Sequence, residues 1–237
     1  MTDLAFVLGL GDDALIAAQR LGEWSSRAPT MEEDIALANI ALDQLGVARL
    51  LLTYAGELEG KGRDEDDLAY LRDEREFTNV HLVELDNGDF AVTTAKLLFL
   101  SAYQKPLYDA LADSPDDRLA GIAGKARKES AYHLDHSAQW TIRLGDGTEE
   151  SHRRMQVAVD QLWPYTYELF ESFDVEGFDV RPQWTSFVEE VLARATLDRP
   201  ADSRAPTGGR RGVHTEGFSY LIGEMQVLHR AHPGARW

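Results

Sequence analysis

The chain of 237 residues carries 24 Lys and Arg against 41 Asp and Glu, a formal net charge of −17, and no cysteine. That acidity argues against binding a nucleic-acid backbone or an anionic lipid surface, both of which need clustered cations. The missing cysteines exclude disulfides, thiolate nucleophiles, cysteine-ligated zinc fingers and cysteine-ligated iron–sulfur clusters, and a hydrophobic share of 43% is that of a globular domain.

The opening MTDLAFVLGLGDD has no basic residue before Arg20 and does not read as a signal peptide. No run of 18 apolar residues follows, so a cytoplasmic protein is expected. Asp12 and Asp13 open a first amphipathic helix, about 12–24, that stops near the Ala28–Pro29 break. Thr30 with Glu33 makes a capping box for the most apolar segment, IALANIALDQLGVARLLLTYAGEL. At about 27 residues and roughly 40 Å, apolar nearly all round, that helix should be central in a bundle. Gly60 and Gly62 stop it. The acidic DEDDLAYLRDEREF reads as a shorter surface helix, and the DNGD turn at 86–89 leads into a helix of about 90–113, bent at Pro106.

Ser114 as N-cap and Pro115 at the first helical position open a helix running to Gly145. Thr148 caps another, about 149–172, with Pro164 inside it. Residues 173–182 look irregular, a helix of about 183–196 follows, and DRPADSRAPTGGRRG reads as a loop. The last helix, about 215–231, ends at Pro233–Gly234. Period-2 alternation is scarce and no linker divides the chain, so an all-α bundle in a single domain over 1–237 is expected.

A bundle of this size raises the question of metal. KESAYHLDHS places Glu129, His133 and His136 on one helix face, but one helix supplies all three, and a hydrogen-bonded cluster is the preferred reading over a zinc site. Di-iron carboxylate bundles need a Glu-x-x-His motif from each of two helices. The residues three before the seven histidines are Thr78, Ser130, His133, Glu149, Arg211, Gln226 and His229. Only Glu149–His152 fits, and it lies in the first turn of a helix, where it should face solvent.

The stretches LGDDALIAAQRLGEW, EEDIALANIALDQLGVAR, LAYLRDEREFTN, KESAYHL and TGGRRGVHTEGFSYLIGEMQVLHR resemble, in this order and over about the whole chain, the C subunits of the bacterial phenylacetyl-CoA epoxidases. These are ring-1,2-epoxidising multicomponent monooxygenases. The resemblance implies a ferritin-like fold and a catalytically silent relative of the iron-bearing A subunit, which it binds and supports. In catalytic relatives a Glu-x-x-His motif follows an Asp in the second helix; here Gln44 and Val47 follow Asp43 at those positions. Ser130 stands where the second motif has glutamate, His133 keeps the histidine, and Gln19 corresponds to the first-helix carboxylate. A vestigial centre filled by neutral hydrogen bonds among Gln44, Ser130 and His133 is expected. No catalytic, cofactor-binding or metal-ligating residue is therefore assigned to this chain, and the di-iron cofactor is expected in the partner A subunit.

Other features have plain readings. Asp43 is a buried carboxylate satisfied by Arg49 rather than a general base. The loop Thr207–Gly212, with Arg210 and Arg211 between glycines, suits the phosphates of coenzyme A, an acidic partner or simple solvation, and His214 beside it is a candidate interface residue. Trp24, Trp140, Trp163 and Trp184 are core or interface anchors, and His229 and His232 lie at the surface. The preferred function is a structural subunit of the epoxidase in aerobic phenylacetate degradation, able to form a homodimer when alone. The alternative is a stand-alone metal-binding ferritin-like oxidase.

Overall fold

The structure, a computed structural model, describes residues 3–171 and 179–235. Every regular element among them is helical. The α-helices are α1 Leu4–Gly22, α2 Met31–Glu59, α3 Glu65–Tyr70, α4 His81–Glu84, α5 Phe90–Leu111, α6 Asp117–Gly145, α7 Glu149–Leu162, α8 Arg181–Arg194 and α9 Glu216–Ala231. Short 3₁₀ segments span Glu74–Glu76, Trp163–Phe170 and Gly209–Arg211. The chain forms two compact units, Met1–Asp86 with Thr207–Trp237, and Asn87–Pro206.

In the first unit α1 begins at Leu4, well before the expected start near residue 12. Asp3 caps it by accepting from the Ala5 N–H at 2.9 Å, and Asp12 and Asp13 are buried inside it. The acidic pair marks an ionic core, not a helix start. At Gly11 a Cβ would lie 2.9 Å from Leu52 Cδ2, so glycine lets α1 lie close against α2. Thr30 caps α2 by accepting from the Glu33 N–H, and Gly60 ends it in the left-handed conformation. Leu37, Ile40, Val47, Leu51 and Leu52 are buried. The opposite stripe is not: Met31, Ile35, Leu42 and Leu45 are exposed, so α2 is apolar all round without being buried all round. Among the described residues α2 is the one helix long and apolar enough to cross a membrane. Asp43, Gln44 and Arg49 at its middle would make such a crossing costly.

The acidic run 64–77 does not make one surface helix. It breaks into α3 and the Glu74–Glu76 turn because Arg72 and Phe77, between and beyond them, are drawn inward. α9 follows Thr215 and completes this unit.

The second unit is built on α5, capped by Asp89 through the Val92 N–H at 3.1 Å. Pro106 sits inside α5 and leaves the Ala102 carbonyl without its helical donor. α6 is capped by Asp116, not Ser114; the Asp116 carboxylate accepts from the Arg118 and Leu119 N–H groups, both at 3.0 Å. The Ser114 hydroxyl instead accepts from the Asp116 N–H. α7 stops at Leu162 and the chain tightens to 3₁₀, because Pro164 has no N–H to continue an α-helix. Phe99, Trp163, Phe170 and Trp184 form an aromatic cluster, and Trp184 Nε1 donates to the Phe99 carbonyl at 2.9 Å. Of the expected irregular stretch 173–182, residues up to 178 lie outside the described residues, and α8 already runs from Arg181.

Candidate functional site

The positions that resemble metal ligands lie on α1, α2 and α6. Gln44 and Val47 are buried on α2 of the first unit; Ser130 and His133 are buried on α6 of the second; Gln19 on α1 is half-buried. Apart from His133 these side chains are neutral and poor ligands for iron. Among the described residues no group of three or more His, Cys, Asp or Glu is placed to hold a metal ion. Glu129 is half-buried and ion-paired with Lys125 at 3.6 Å one turn earlier. The Glu149–His152 pair also has a local role: His152 Nδ1 lies 2.7 Å from the Gly145 carbonyl at the end of α6. Asp43 is half-buried rather than buried, and Arg49, expected to serve it, donates through Nε to Glu65 at 3.0 Å.

The strongest chemistry in the first unit is an ionic core that local sequence patterns do not reveal. Asp12 and Arg72 form a buried ion pair in which both side chains are essentially inaccessible. The Asp12 carboxylate also accepts from the Thr78 N–H at 2.8 Å and the Thr78 hydroxyl at 3.0 Å. The Arg72 guanidinium lies 4.1 Å from the centroid of the Phe77 ring. Beside this pair, Arg210 grips Asp13 with two bonds of 2.9 and 2.6 Å. Asp13 accepts a third from the Val80 N–H at 2.8 Å. Burial pushes the Asp13 carboxyl up from its ordinary value, against the pull of the Arg210 charge and hydrogen bonds. Arg210 also donates to the Gly9 carbonyl at 3.1 Å and the Thr78 carbonyl at 2.9 Å.

This arrangement decides the reading of the TGGRRG loop. Its glycines are needed where it crosses the 75–80 segment. A Cβ at Gly209 would clash with the Asn79 carbonyl and one at Gly212 with the Arg75 carbonyl; Gly212 also has a φ of +71°. Of the two arginines, only Arg211 points to solvent. Arg210 is consumed by internal partners and offers nothing to a coenzyme A phosphate. The loop is a clasp over α1 and the 77–80 stretch of backbone.

His214 continues the clasp, and it is not an interface residue. Its side chain is fully buried. Nδ1 lies 2.7 Å from the Glu84 carboxylate and Nε2 lies 3.0 Å from the Phe77 carbonyl. Acceptors on both sides require N–H on both nitrogens, which is the imidazolium form. Burial works to lower its pKa, but the Glu84 hydrogen bond and charge and the Phe77 carbonyl outweigh burial and raise it. The ring stacks on Phe218, with 4.1 Å between centroids. Glu84 accepts further bonds from Asn79 Nδ2 at 2.9 Å and the Thr215 N–H at 2.6 Å. His81 Nε2, 2.6 Å from the Val213 carbonyl, pins the same loop. Sequence reasoning misses Asp12, Asp13, Arg72 and Glu84 as partners in this core. The available signal is the pair of adjacent acids inside the apolar run LGLGDDALIAA.

In the second unit a groove of about 600 Å³ is lined by Lys105, Leu134, Ile142, Arg143, Phe187 and Arg194 among others. Its cations have local partners: Lys105 pairs with Asp109, Arg143 lies over the Trp140 ring at 4.9 Å, and Arg194 is 3.8 Å from Glu190. Trp163 and Trp184 are buried core, as expected of anchors, whereas Trp24 and Trp140 are half-buried. His232 is exposed, and His229 is half-buried and stacks on Tyr70 at 4.8 Å.

The sequence profile of the phenylacetic acid catabolic protein family matches residues 1–237. The chain is also 46% identical to the protein of Escherichia coli (strain K12) named as the C subunit of 1,2-phenylacetyl-CoA epoxidase, across 98% of each chain. The all-α, ferritin-like class expected from the sequence is the class that this family has.

Proposed function

This chain belongs to the phenylacetic acid catabolic protein family, and we propose that it is a non-catalytic, supporting subunit of a phenylacetyl-CoA 1,2-epoxidase. It pairs with the iron-bearing A subunit, keeps that subunit folded, and leaves the oxygen chemistry to it. We take the assembly to be cytoplasmic. The observation that carries this reading is the donor set: Gln44, Val47 and Ser130 stand at positions where the resemblance puts iron ligands. Without carboxylates there, too little negative charge is available to hold two irons, and no unpaired buried carboxylate has to be stabilised.

The test is co-expression. An A subunit made alone is expected to be poorly soluble or poorly active, and co-expression with this chain should restore it in a complex containing both. Equal epoxidation by the A subunit with and without this chain would overturn the supporting role. Iron analysis of this chain, purified alone from iron-supplemented culture, separates the alternative. About two irons per chain is the stoichiometry of a stand-alone di-iron oxidase, and a value near zero is expected.

A further inference from the structure

The most conspicuous unpartnered surface is on α2. Met31 is 78% exposed, Ile35 61%, Leu42 64% and Leu45 44%, and Ala38 between them is also exposed. Their spacing of four, three, four and three residues places them in a single stripe, the a/d pattern of a helix that receives another helix. From Met31 to Leu45 the stripe is about 21 Å long at 1.5 Å per residue. The opposite face of α2 is occupied, since Leu37, Ile40, Val47, Ala48 and Leu51 are buried. The stripe is therefore exposed hydrophobic surface that the unit's own packing does not use.

Charge selects the occupant. Glu32 and Asp43 flank the stripe on one side and Asp34 on the other, with Arg49 alone at its C-terminal end. Each face thus holds three carboxylates to one guanidinium. Two copies set face to face would keep a like-charge excess along the seam, within a chain already at −17. A helix with an apolar seam and Lys or Arg on its shoulders has no such cost. We propose that the α2 stripe, Met31–Ile35–Ala38–Leu42–Leu45, is the docking surface for an amphipathic, basic-shouldered helix of the partner subunit. This rests on the supporting-subunit reading given above and adds to it the surface and the chemistry of the contact.

The experiment uses the full chain co-expressed with the A subunit, in three forms: unaltered, Leu42→Lys, and Val227→Lys as a control on the exposed face of α9. Leu42 is exposed, so its lysine variant should melt as the unaltered chain does. Loss of a central apolar anchor should weaken pairing at least about 30-fold, seen as loss of co-elution at micromolar concentration, while Val227→Lys co-elutes. A second readout does not depend on a charge. The chain has no cysteine, so Leu42→Cys provides a single thiol that maleimide labels in the isolated chain. The complex should lose that labelling.

Co-elution of Leu42→Lys at full strength, with the Leu42→Cys thiol still labelled in the complex, would overturn the docking surface and leave the supporting role intact. Failure of the unaltered chain to pair with the A subunit would overturn the supporting role itself. A dimer of the isolated chain that Leu42→Lys splits, with pairing to the A subunit unchanged, would assign the stripe to a second copy and overturn the proposal. Leu42-dependent binding to neutral phosphatidylcholine vesicles would overturn it in favour of a membrane surface.

Discussion

His214 has an acceptor on each side of its ring, the Glu84 carboxylate and the Phe77 carbonyl, so its proton is held more tightly in the folded chain than in the unfolded one. The consequence for stability has a definite sign. A group whose folded pKa is raised contributes fully below its unfolded value, here 6.5, and its contribution is lost as pH rises through the raised folded value. Stability of the first unit is therefore expected to fall as pH rises above 6.5, and Glu84 would then face a neutral ring. Urea melts across that range should show the decline in the native chain. In His214→Gln the decline should be flatter, and the variant less stable at about pH 6 by about 1.5–3 kcal/mol, the worth of a hydrogen bond to a charged group. Parallel pH profiles for the two chains would mean that His214 is neutral when folded. The neighbouring pair is also held by charge: Arg210 belongs to Asp13 because removing either partner would leave an uncompensated buried charge.

At the scale of the element, the clasp 207–214 depends on backbone as much as on charge. Gly212→Ala combines a left-handed φ with a clash against the Arg75 carbonyl. It should destabilise the first unit by about 1–3 kcal/mol from the strained conformation alone, with the clash adding to it, as thermal melts would record. A melting temperature indistinguishable from that of the native chain would show that the crossing can relax.

Which elements are legible in the sequence follows from where their information lies. The ends of α2 sit in Thr30, Glu33 and Gly60, and the start of α5 in Asp89, all within one turn of the boundary they set. Local capping chemistry reads such ends directly. The break-up of the 64–77 run and the meaning of TGGRRG are not legible, because their causes are distant; the start of α1 is capped locally by Asp3, but the buried Asp12–Asp13 pair imitates a helix start further on. Arg210 meets Asp13 across 197 positions, and Arg72 meets Asp12 across 60. A pattern window sees an acidic pair and a basic loop, but not that each neutralises another segment. The helical, apolar character of α2 is equally clear from composition, yet composition cannot tell a buried apolar face from an exposed one. The positions aligned with metal ligands are reached through the resemblance alone; spacing reveals only that Glu-x-x-His is scarce.

For the whole molecule, the order of the chain matters. The first unit is assembled from both ends, Met1–Asp86 and Thr207–Trp237, and the second unit, Asn87–Pro206, is continuous between them. The first unit's ionic core is thus incomplete until the last segment of chain arrives. Before then Asp13 and Glu84 have the Val80 N–H and the Asn79 amide but neither Arg210 nor His214 to balance their charge, so burying the two carboxylates is costly. Closing such long loops is entropically slow but adds little to the equilibrium cost, so the late contacts should act mainly as a lock. A chain ended at Pro206 is then expected to lose the first unit's native packing. Hydrogen exchange over Leu4–Gly22 and His81–Glu84 should rise to that of unprotected amides, and adding a synthetic 207–237 peptide should restore part of the protection. Full protection of α1 in the truncated chain would show that α1 and α2 hold together on apolar contacts alone, and that the clasp tunes the unit without completing it.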